Sequence, residues 1–123
     1  MTPNEQLALD DLLELIPIPG PPGSESLVAA HLRKKLVTMG IPEGSITTDN
    51  AQDQSEYGGD TGNLIVTLDG HGRGDRWIFS THMDTVPGAV GTEPKVSGNV
   101  NESGVEGKPL AETIEQGAPS SFR

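Results

Sequence analysis

The sequence contains no cysteine, and it has few aromatic and few basic residues. Without cysteine the chain can form neither a disulfide framework nor a thiolate metal site. Only four of the 123 residues are Trp, Tyr or Phe and 33% are hydrophobic, so we expect a thin core. Eight Lys and Arg stand against 18 Asp and Glu, which gives a formal net charge of −10. This charge argues against nucleic acid and against an anionic membrane as partners, because both attract basic side chains.

Long apolar runs are also missing. No run approaches the roughly 20 residues that a helix needs to span a bilayer. The start of the chain has neither the basic segment nor the apolar stretch of a signal peptide. We therefore expect a cytoplasmic protein. Sixteen Gly and ten Pro lie above the average but below the low-complexity range, so one small folded domain is expected.

The sequence predicts two helices in its first 40 residues. The first begins at Pro3, with Thr2 and Glu5 placed as a capping box, and ends before Pro17. The second covers residues 24–39, with Ser24 as its amino-terminal cap and Gly40 as its carboxyl-terminal cap. The spacing of its apolar residues predicts one buried face, made by Leu27, Val28, Leu32, Leu36 and Met39. We expect His31 and the basic run of residues 33–35 on or near the solvated side.

Strands are predicted after the helices. Residues 46–49 can form a short strand and residues 63–68 a longer one. Residues 76–81 are apolar and short enough to be a strand buried in a sheet, joined to the previous strand by the Gly-rich turn of residues 69–75. Two helices followed by strands predict a layered α/β domain. From about Gly98 the chain has no clear period and is rich in Gly, Glu, Ser and Asn.

His82 and Asp84 follow the last predicted strand directly. The carboxyl ends of strands are where α/β proteins place ligands, and residues two apart in an extended segment point the same way. An imidazole binds Zn²⁺ through one nitrogen, and a carboxylate can orient it by accepting a hydrogen bond from the other. The pair is therefore a candidate zinc ligand with its orienting partner. The alternative is a capping Asp beside a partly buried His at a strand end.

The wider string STHMDTVPG, residues 80–88, resembles the metal-binding segment of the zinc exopeptidase family of aminoacylases, carboxypeptidases and tripeptidases. It looks most like the tripeptidase (peptidase T-like) branch. Weaker likenesses follow in the family's order: residues 12–20 resemble its opening helix and turn, residues 24–40 its second helix, residues 62–64 the start of a strand, and residues 93–98 a short hairpin. The resemblance covers roughly residues 5–98.

The resemblance implies the amino-terminal part of a zinc-exopeptidase catalytic domain, of α/β class, with two helices and a partial sheet in residues 1–98. His82 would be a zinc ligand, and Asp84 would be the catalytic residue that holds the His82 imidazole and tunes the metal. Intact members of the family hold two zinc ions that share a bridging Asp. A Glu general base activates the water that attacks a short peptide substrate.

The family's next motif, which carries the bridging Asp, does not follow in the printed sequence. In a shifted frame, each new codon takes the third base of one residue and the first two bases of the next. Read this way, the codons of Lys108 to Phe122 permit Ala-Leu-Gly-Gly-Asp-(Asn or Asp)-Arg-Ala-Gly-(Cys or Gly)-Ala-Val-Val-Leu, which resembles that motif and the apolar helix that follows it. We therefore expect a frameshift or a sequencing error between about Lys95 and Lys108. Residues 99–123 would then be an out-of-frame tail, and their composition suits disorder.

The sequence thus predicts a truncated member of a family that hydrolyses short peptides, inactive as this fragment. His82 alone cannot hold zinc tightly, since zinc sites use at least three protein ligands. The exposed strand edges of a partial sheet would invite aggregation. Two alternatives stay open: a non-catalytic small α/β binding module, and a product that is never folded in the cell. The oligomeric state is left open.

Overall fold

A computed structural model describes residues 2–72, 74–94, 96, 99–101 and 104–106. The chain divides into two compact units: a terminal unit of residues 1–19 and 86–123, and a central unit of residues 20–85. The described part contains two α-helices and short antiparallel strand pairs, which confirms a fold that mixes α and β structure. Among the described residues, no helix has both the length and the apolar character needed to cross a membrane.

Helix α1 spans Pro3–Leu15 and belongs to the terminal unit. Its predicted capping box is confirmed: the Glu5 backbone N–H donates to Thr2 Oγ1 over 3.2 Å, and the Thr2 N–H donates to Glu5 Oε2 over 2.6 Å. These bonds hold the pKa of the Glu5 carboxyl below its usual value, the bond with the Thr2 backbone having the largest effect. The helix ends before Pro17, as predicted.

The terminal unit also holds a 3₁₀ helix, Pro87–Ala89, and a strand pair. Strand β3, Asn99–Asn101, pairs antiparallel with β4, Gly104–Glu106. This pair lies at the start of the stretch for which the sequence predicts disorder. Residues 95 and 97–98 of the expected family hairpin, and residues 102–103 and 107–123 of the predicted tail, lie outside the described residues. The frameshift stays a prediction.

Helix α2 spans Ser26–Thr38 in the central unit, and the prediction that Ser24 caps it is wrong. The carboxylate of Asp60, 34 residues further along the chain, takes that position: its Oδ1 accepts the Ser26 backbone N–H over 3.0 Å, and its Oδ2 accepts the Ser26 hydroxyl. The carboxylate satisfies a backbone donor that the helix leaves unpaired and complements the positive end of the helix dipole. At the other end, Gly40 has φ 95°, as a carboxyl-terminal cap requires.

The strand β1, Ile46–Thr48, pairs antiparallel with β2, Leu64–Val66, with Ile46 opposite Val66. Two short 3₁₀ helices, Glu43–Ser45 and Ala51–Gln54, flank β1. The side chain of Arg33 connects α2 to β1, because Nη1 donates to the Ile46 carbonyl over 2.9 Å and Nη2 to Thr48 Oγ1 over 3.1 Å. Arg33 is half-buried, and its guanidinium group is bonded to β1.

The core is smaller than the predicted helix face. Val28, Ala29 and Ile46 are the buried apolar residues of the described part, at 6%, 8% and 3% exposure. Leu27 and Met39, which the spacing assigns to the buried face of α2, are exposed instead. Spacing shows which residues share a face of a helix, but a face becomes buried only where another element covers it.

Residues 76–81 form no strand, contrary to the prediction. Trp77, Ile78 and Phe79 are 82%, 91% and 94% exposed, so the expected burial in a sheet is wrong as well. A strand exists through hydrogen bonds to a neighbouring strand, and no described residue provides such bonds here. Apolar composition alone cannot replace that missing partner.

Candidate functional site

His82 and Asp84 lie next to each other, as their spacing predicts. His82 Nδ1 is 3.1 Å from Asp84 Oδ1 and 2.9 Å from the Asp84 backbone carbonyl oxygen. A carbonyl oxygen can only accept a hydrogen bond, and an ionised carboxylate can only accept one too. Nδ1 therefore carries the hydrogen and donates it to both oxygens of the same residue. The contact is local, made within three consecutive residues.

The other ring nitrogen of His82 belongs to a side chain that is largely open to solvent. The His82 side chain is 81% exposed and that of Asp84 40% exposed. In a neutral imidazole with its hydrogen on Nδ1, the Nε2 lone pair is free to bind a metal ion or accept a proton. The arrangement can thus supply one nitrogen ligand in a fixed tautomer.

A buried glycine fixes the chain directly after this pair. The Thr85 backbone N–H donates to the Gly20 carbonyl over 2.8 Å, and the Thr85 hydroxyl donates to the same oxygen over 3.4 Å. A Cβ atom at position 20 would lie 2.6 Å from Val28 Cγ2 and 3.7 Å from the Met83 carbonyl oxygen. Only a glycine therefore lets residues 83–85 and α2 approach this position from both sides.

The structure gives His82 and Asp84 a different setting from the predicted one. The sequence places the pair at the carboxyl end of a strand, but residues 76–81 form none. What holds the pair instead is the bond from Thr85 to Gly20, which joins residues 65 positions apart. Sequence reasoning missed this anchor; the one available signal was a glycine within the proline-rich stretch of residues 17–23.

The described residues provide one ligand rather than a complete zinc site. Within that part of the chain, no group of three or more His, Cys, Asp or Glu side chains could hold a metal ion. His82 with Asp84 fits the chemistry of a single imidazole ligand and its orienting carboxylate. Since protein zinc sites use at least three protein ligands, further ligands would have to come from elsewhere.

A second polar cluster organises the start of β2. Asp49 Oδ1 accepts the backbone N–H groups of Asn63, over 2.8 Å, and of Ala51, over 3.1 Å, and Oδ2 accepts the Asn63 side-chain amide over 2.9 Å. These hydrogen bonds hold the pKa of the Asp49 carboxyl below its usual value. The bond from the Asn63 side-chain amide has the largest effect, followed by those from the Ala51 and Asn63 backbones. Gly62 is buried against this cluster: a Cβ there would lie 2.1 Å from the Asp49 carbonyl oxygen.

The comparisons with known proteins give one partial match. The chain is 33% identical over 93 residues to "Uncharacterized protein YqjE" of Bacillus subtilis (strain 168), and the match covers 76% of this chain and 24% of that protein. No protein-family profile matches the chain. No solved structure matches it either. The chain thus spans about a quarter of the length of the relative to which it is similar.

Proposed function

We propose that this chain is part of a zinc-dependent exopeptidase that hydrolyses short peptides, with His82 as a zinc ligand and Asp84 as the residue that orients it. The observation that carries the proposal is that His82 Nδ1 donates to two oxygens of Asp84, one of the carboxylate and one of the backbone carbonyl. That contact leaves Nε2 without a proton in the neutral ring, which is the state a metal ligand requires.

The sequence around the pair supports the same function. The string of residues 80–88 resembles the metal-binding segment of the aminoacylase, carboxypeptidase and tripeptidase family. The match to a relative of which the chain spans only 24% supports a larger parent protein, which would contribute the remaining metal ligands. Bound zinc would supply Lewis acidity toward a peptide carbonyl and an activated water. This chain's own contribution would be to hold one imidazole in the tautomer that binds the ion.

A zinc titration of the chain tests the ligand assignment. The chain has three His residues, so long-range ¹H–¹⁵N spectra can follow each imidazole separately. We expect zinc to shift His82 Nε2 first and to leave Nδ1 protonated, with weak overall affinity because one ligand does not make a site. Asp84→Asn should weaken the response and lower the population of the Nδ1–H tautomer.

The exposed His71 offers a matched control for the same titration. His71→Ala should keep the His82 response, and His82→Ala should remove it. Equal shifts at His31, His71 and His82 would contradict a prepared ligand and would favour the alternative of a non-catalytic binding module.

The identity of the parent protein is tested on the gene. Resequencing the genomic DNA from about codon 90 to several hundred bases past the stop should reveal an open shifted frame that encodes further Asp, Glu-Glu and His motifs. Expression of that longer frame should then yield zinc-dependent release of amino-terminal residues from tripeptides. Downstream DNA without such motifs in any frame would refute the enzyme assignment.

A further inference from the structure

The peptide group that joins Asp84 to Thr85 has hydrogen bonds on both of its sides. Its carbonyl oxygen, on Asp84, accepts the hydrogen of His82 Nδ1 over 2.9 Å. Its N–H, on Thr85, donates to the Gly20 carbonyl over 2.8 Å. A peptide group is planar, and in the trans form present here its N–H and C=O point in opposite directions. One rigid unit therefore connects the His82 ring to Gly20.

The rotation of this peptide group decides whether the His82 hydrogen finds its backbone acceptor. The Asp84 carbonyl meets Nδ1 only while the plane keeps its present rotation, and the bond to Gly20 holds that rotation. Donation by the Thr85 N–H also polarises the carbonyl of the same group, which makes it a stronger acceptor. The hydrogen bond made by one ring nitrogen of a histidine sets which nitrogen carries the hydrogen. The bond to Gly20 thus favours the tautomer with the hydrogen on Nδ1 and a lone pair on Nε2.

The Gly20 carbonyl is a stiff anchor for this unit. Gly20 is buried and precedes Pro21, and a residue before proline is restricted to extended conformations. The Pro21 ring also fixes its own backbone angle φ. Val28 of α2, which is 6% exposed, lies so close that a Cβ at position 20 would come within 2.6 Å of its Cγ2. A carbonyl held in this way keeps its direction, and the bond to the Thr85 N–H passes that direction on.

We propose that Gly20 is a positioning residue: its carbonyl holds the peptide group of residues 84 and 85, and that group selects the His82 tautomer with the hydrogen on Nδ1. The Asp84 carboxylate, whose Oδ1 is 3.1 Å from Nδ1, supplies the second acceptor. The consequence for zinc rests on the proposed function, because this tautomer leaves Nε2 for the ion. The selection of the tautomer does not depend on zinc.

A first variant removes the Asp84 carboxylate and keeps the carbonyl. In Asp84→Ala the peptide group and its bond to Gly20 remain. The Nδ1–H tautomer of His82 should therefore decrease but stay several-fold more populated than that of His71, which is exposed. Long-range ¹H–¹⁵N spectra of the full chain without zinc measure both, at about pH 9, well above the ordinary pKa of an imidazole. Equal tautomer ratios at His82 and His71 would mean that the carboxylate alone selects the tautomer, which would overturn the proposal.

A second variant moves the anchor. The added Cβ of Gly20→Ala must displace residue 20 from Val28 Cγ2, so the bond from Thr85 should lengthen. We expect the ratio of the Nδ1–H to the Nε2–H tautomer of His82 to fall about fivefold, the factor that one ordinary hydrogen bond provides. The scalar coupling across the bond from the Thr85 nitrogen to the carbonyl carbon of residue 20 should decrease with it. The ratio at His71 should not change.

Val28 offers the matched controls. Val28→Ala removes the methyl group that the new Cβ would meet, so Gly20→Ala combined with Val28→Ala should regain the native tautomer ratio. Val28→Ala alone lowers stability by leaving a cavity in the core, but it keeps Gly20 and Thr85 bonded, so its ratio should be native. An equal fall of the ratio in Val28→Ala and Gly20→Ala would show a general structural effect and refute the positioning role.

A zinc titration separates this inference from the proposed function. Gly20→Ala should weaken the zinc response of His82 in parallel with its Nδ1–H population, because only that form presents the Nε2 lone pair. A native chain that keeps the tautomer without a preferential zinc response at His82 would refute the zinc role alone. A native tautomer ratio in a Gly20→Ala chain that has lost the bond from Thr85 would refute the positioning role alone. If Gly20→Ala does not fold, Asp84→Ala decides, since it alters a side chain that is 40% exposed.

Discussion

The β1–β2 pair and residues 75–82, called here the apolar segment, belong to the same compact unit, yet only the first is regular structure. By composition the apolar segment is the better strand, with Trp-Ile-Phe at its centre against Ile-Thr-Thr in β1. The difference lies in the partners. Asp49 and Asn63 bond to each other at the end of the β1–β2 pair, whereas no described residue pairs with the apolar segment. Strand formation here depends on available partners more than on local preference.

The largest effect on stability is expected at Gly62, beside the β1–β2 pair, where an added side chain finds no space. Gly62→Ala places a Cβ 2.1 Å from the Asp49 carbonyl oxygen and 2.6 Å from its Oδ1, so the backbone must move and the bonds that align β2 must break. We expect a loss of about 3 kcal/mol in the free energy of unfolding, at the upper end of usual single substitutions. Urea unfolding of the variant and of the native chain measures this difference in free energy.

Gly44→Ala is the control for that substitution, because a Cβ at Gly44 would meet no atom within 4 Å. This variant should be as stable as the native chain. A Gly62→Ala chain of native stability would mean that Asp49 and Gly62 do not approach each other in solution.

The next largest effect compares the same substitution in the two regions. Ile46 is 3% exposed in β1, and Ile78 is 91% exposed in the apolar segment. We expect Ile46→Ala to cost about 2 kcal/mol, the low end for a buried Ile, because the core is small. Ile78→Ala should change stability by less than about 0.5 kcal/mol in dilute solution, as at other surface sites. Equal losses of unfolding free energy at both positions would mean that Ile46 and Ile78 do not differ in burial in solution.

A smaller effect is expected at the distant cap of α2. Asp60→Ala removes the acceptor of the Ser26 N–H and hydroxyl, and should cost about 1 kcal/mol, the usual value for a lost helix cap. Asp60→Asn keeps one acceptor oxygen and should lose less. Amide hydrogen exchange in the first turn of α2 reports the change directly. Unaltered exchange in Asp60→Ala would show that α2 does not depend on this cap.

The smallest effect is a pH dependence from Asp49. Its carboxyl pKa is lower in the folded chain than its ordinary value of 3.8, mainly because the Asn63 amide donates to it. The stabilisation is therefore fully present above the unfolded pKa and is lost as the pH falls through the folded pKa. Unfolding midpoints measured from pH 6 to pH 2 should fall less steeply for Asp49→Asn. Asn63→Ala should also make the unfolding midpoint depend less on pH. If both variants lose stability with falling pH as steeply as the native chain, the assignment of this pH dependence to Asp49 is wrong.

Local signals predicted the parts that local chemistry controls. The Thr2–Glu5 capping box and the proline stop of α1 were predictable, since each depends on residues within one helical turn. The contact of His82 with Asp84 was predictable for the same reason, because it joins residues two apart in one extended segment. The metal-binding role assigned to that pair stays a prediction from the resemblance.

Long-range partners could not be predicted in the same way. No local pattern indicates that Asp60 caps α2, that Arg33 bonds to β1, or that Thr85 bonds to Gly20. Each of these contacts joins residues at least 13 positions apart. The Asp60 contact stands where the sequence predicts a Ser24 cap, and the Thr85 contact holds a chain for which the sequence predicts a strand before His82.

The sequence by itself determined the two helices, the strand preference of residues 46–48 and 64–66, and the adjacency of His82 to Asp84. The reason is that caps, propensities and spacing act over a few residues. Only the tertiary structure decided which apolar residues are buried. Ile46 is covered and Ile78 is not, because burial depends on what packs against a residue rather than on the residue itself.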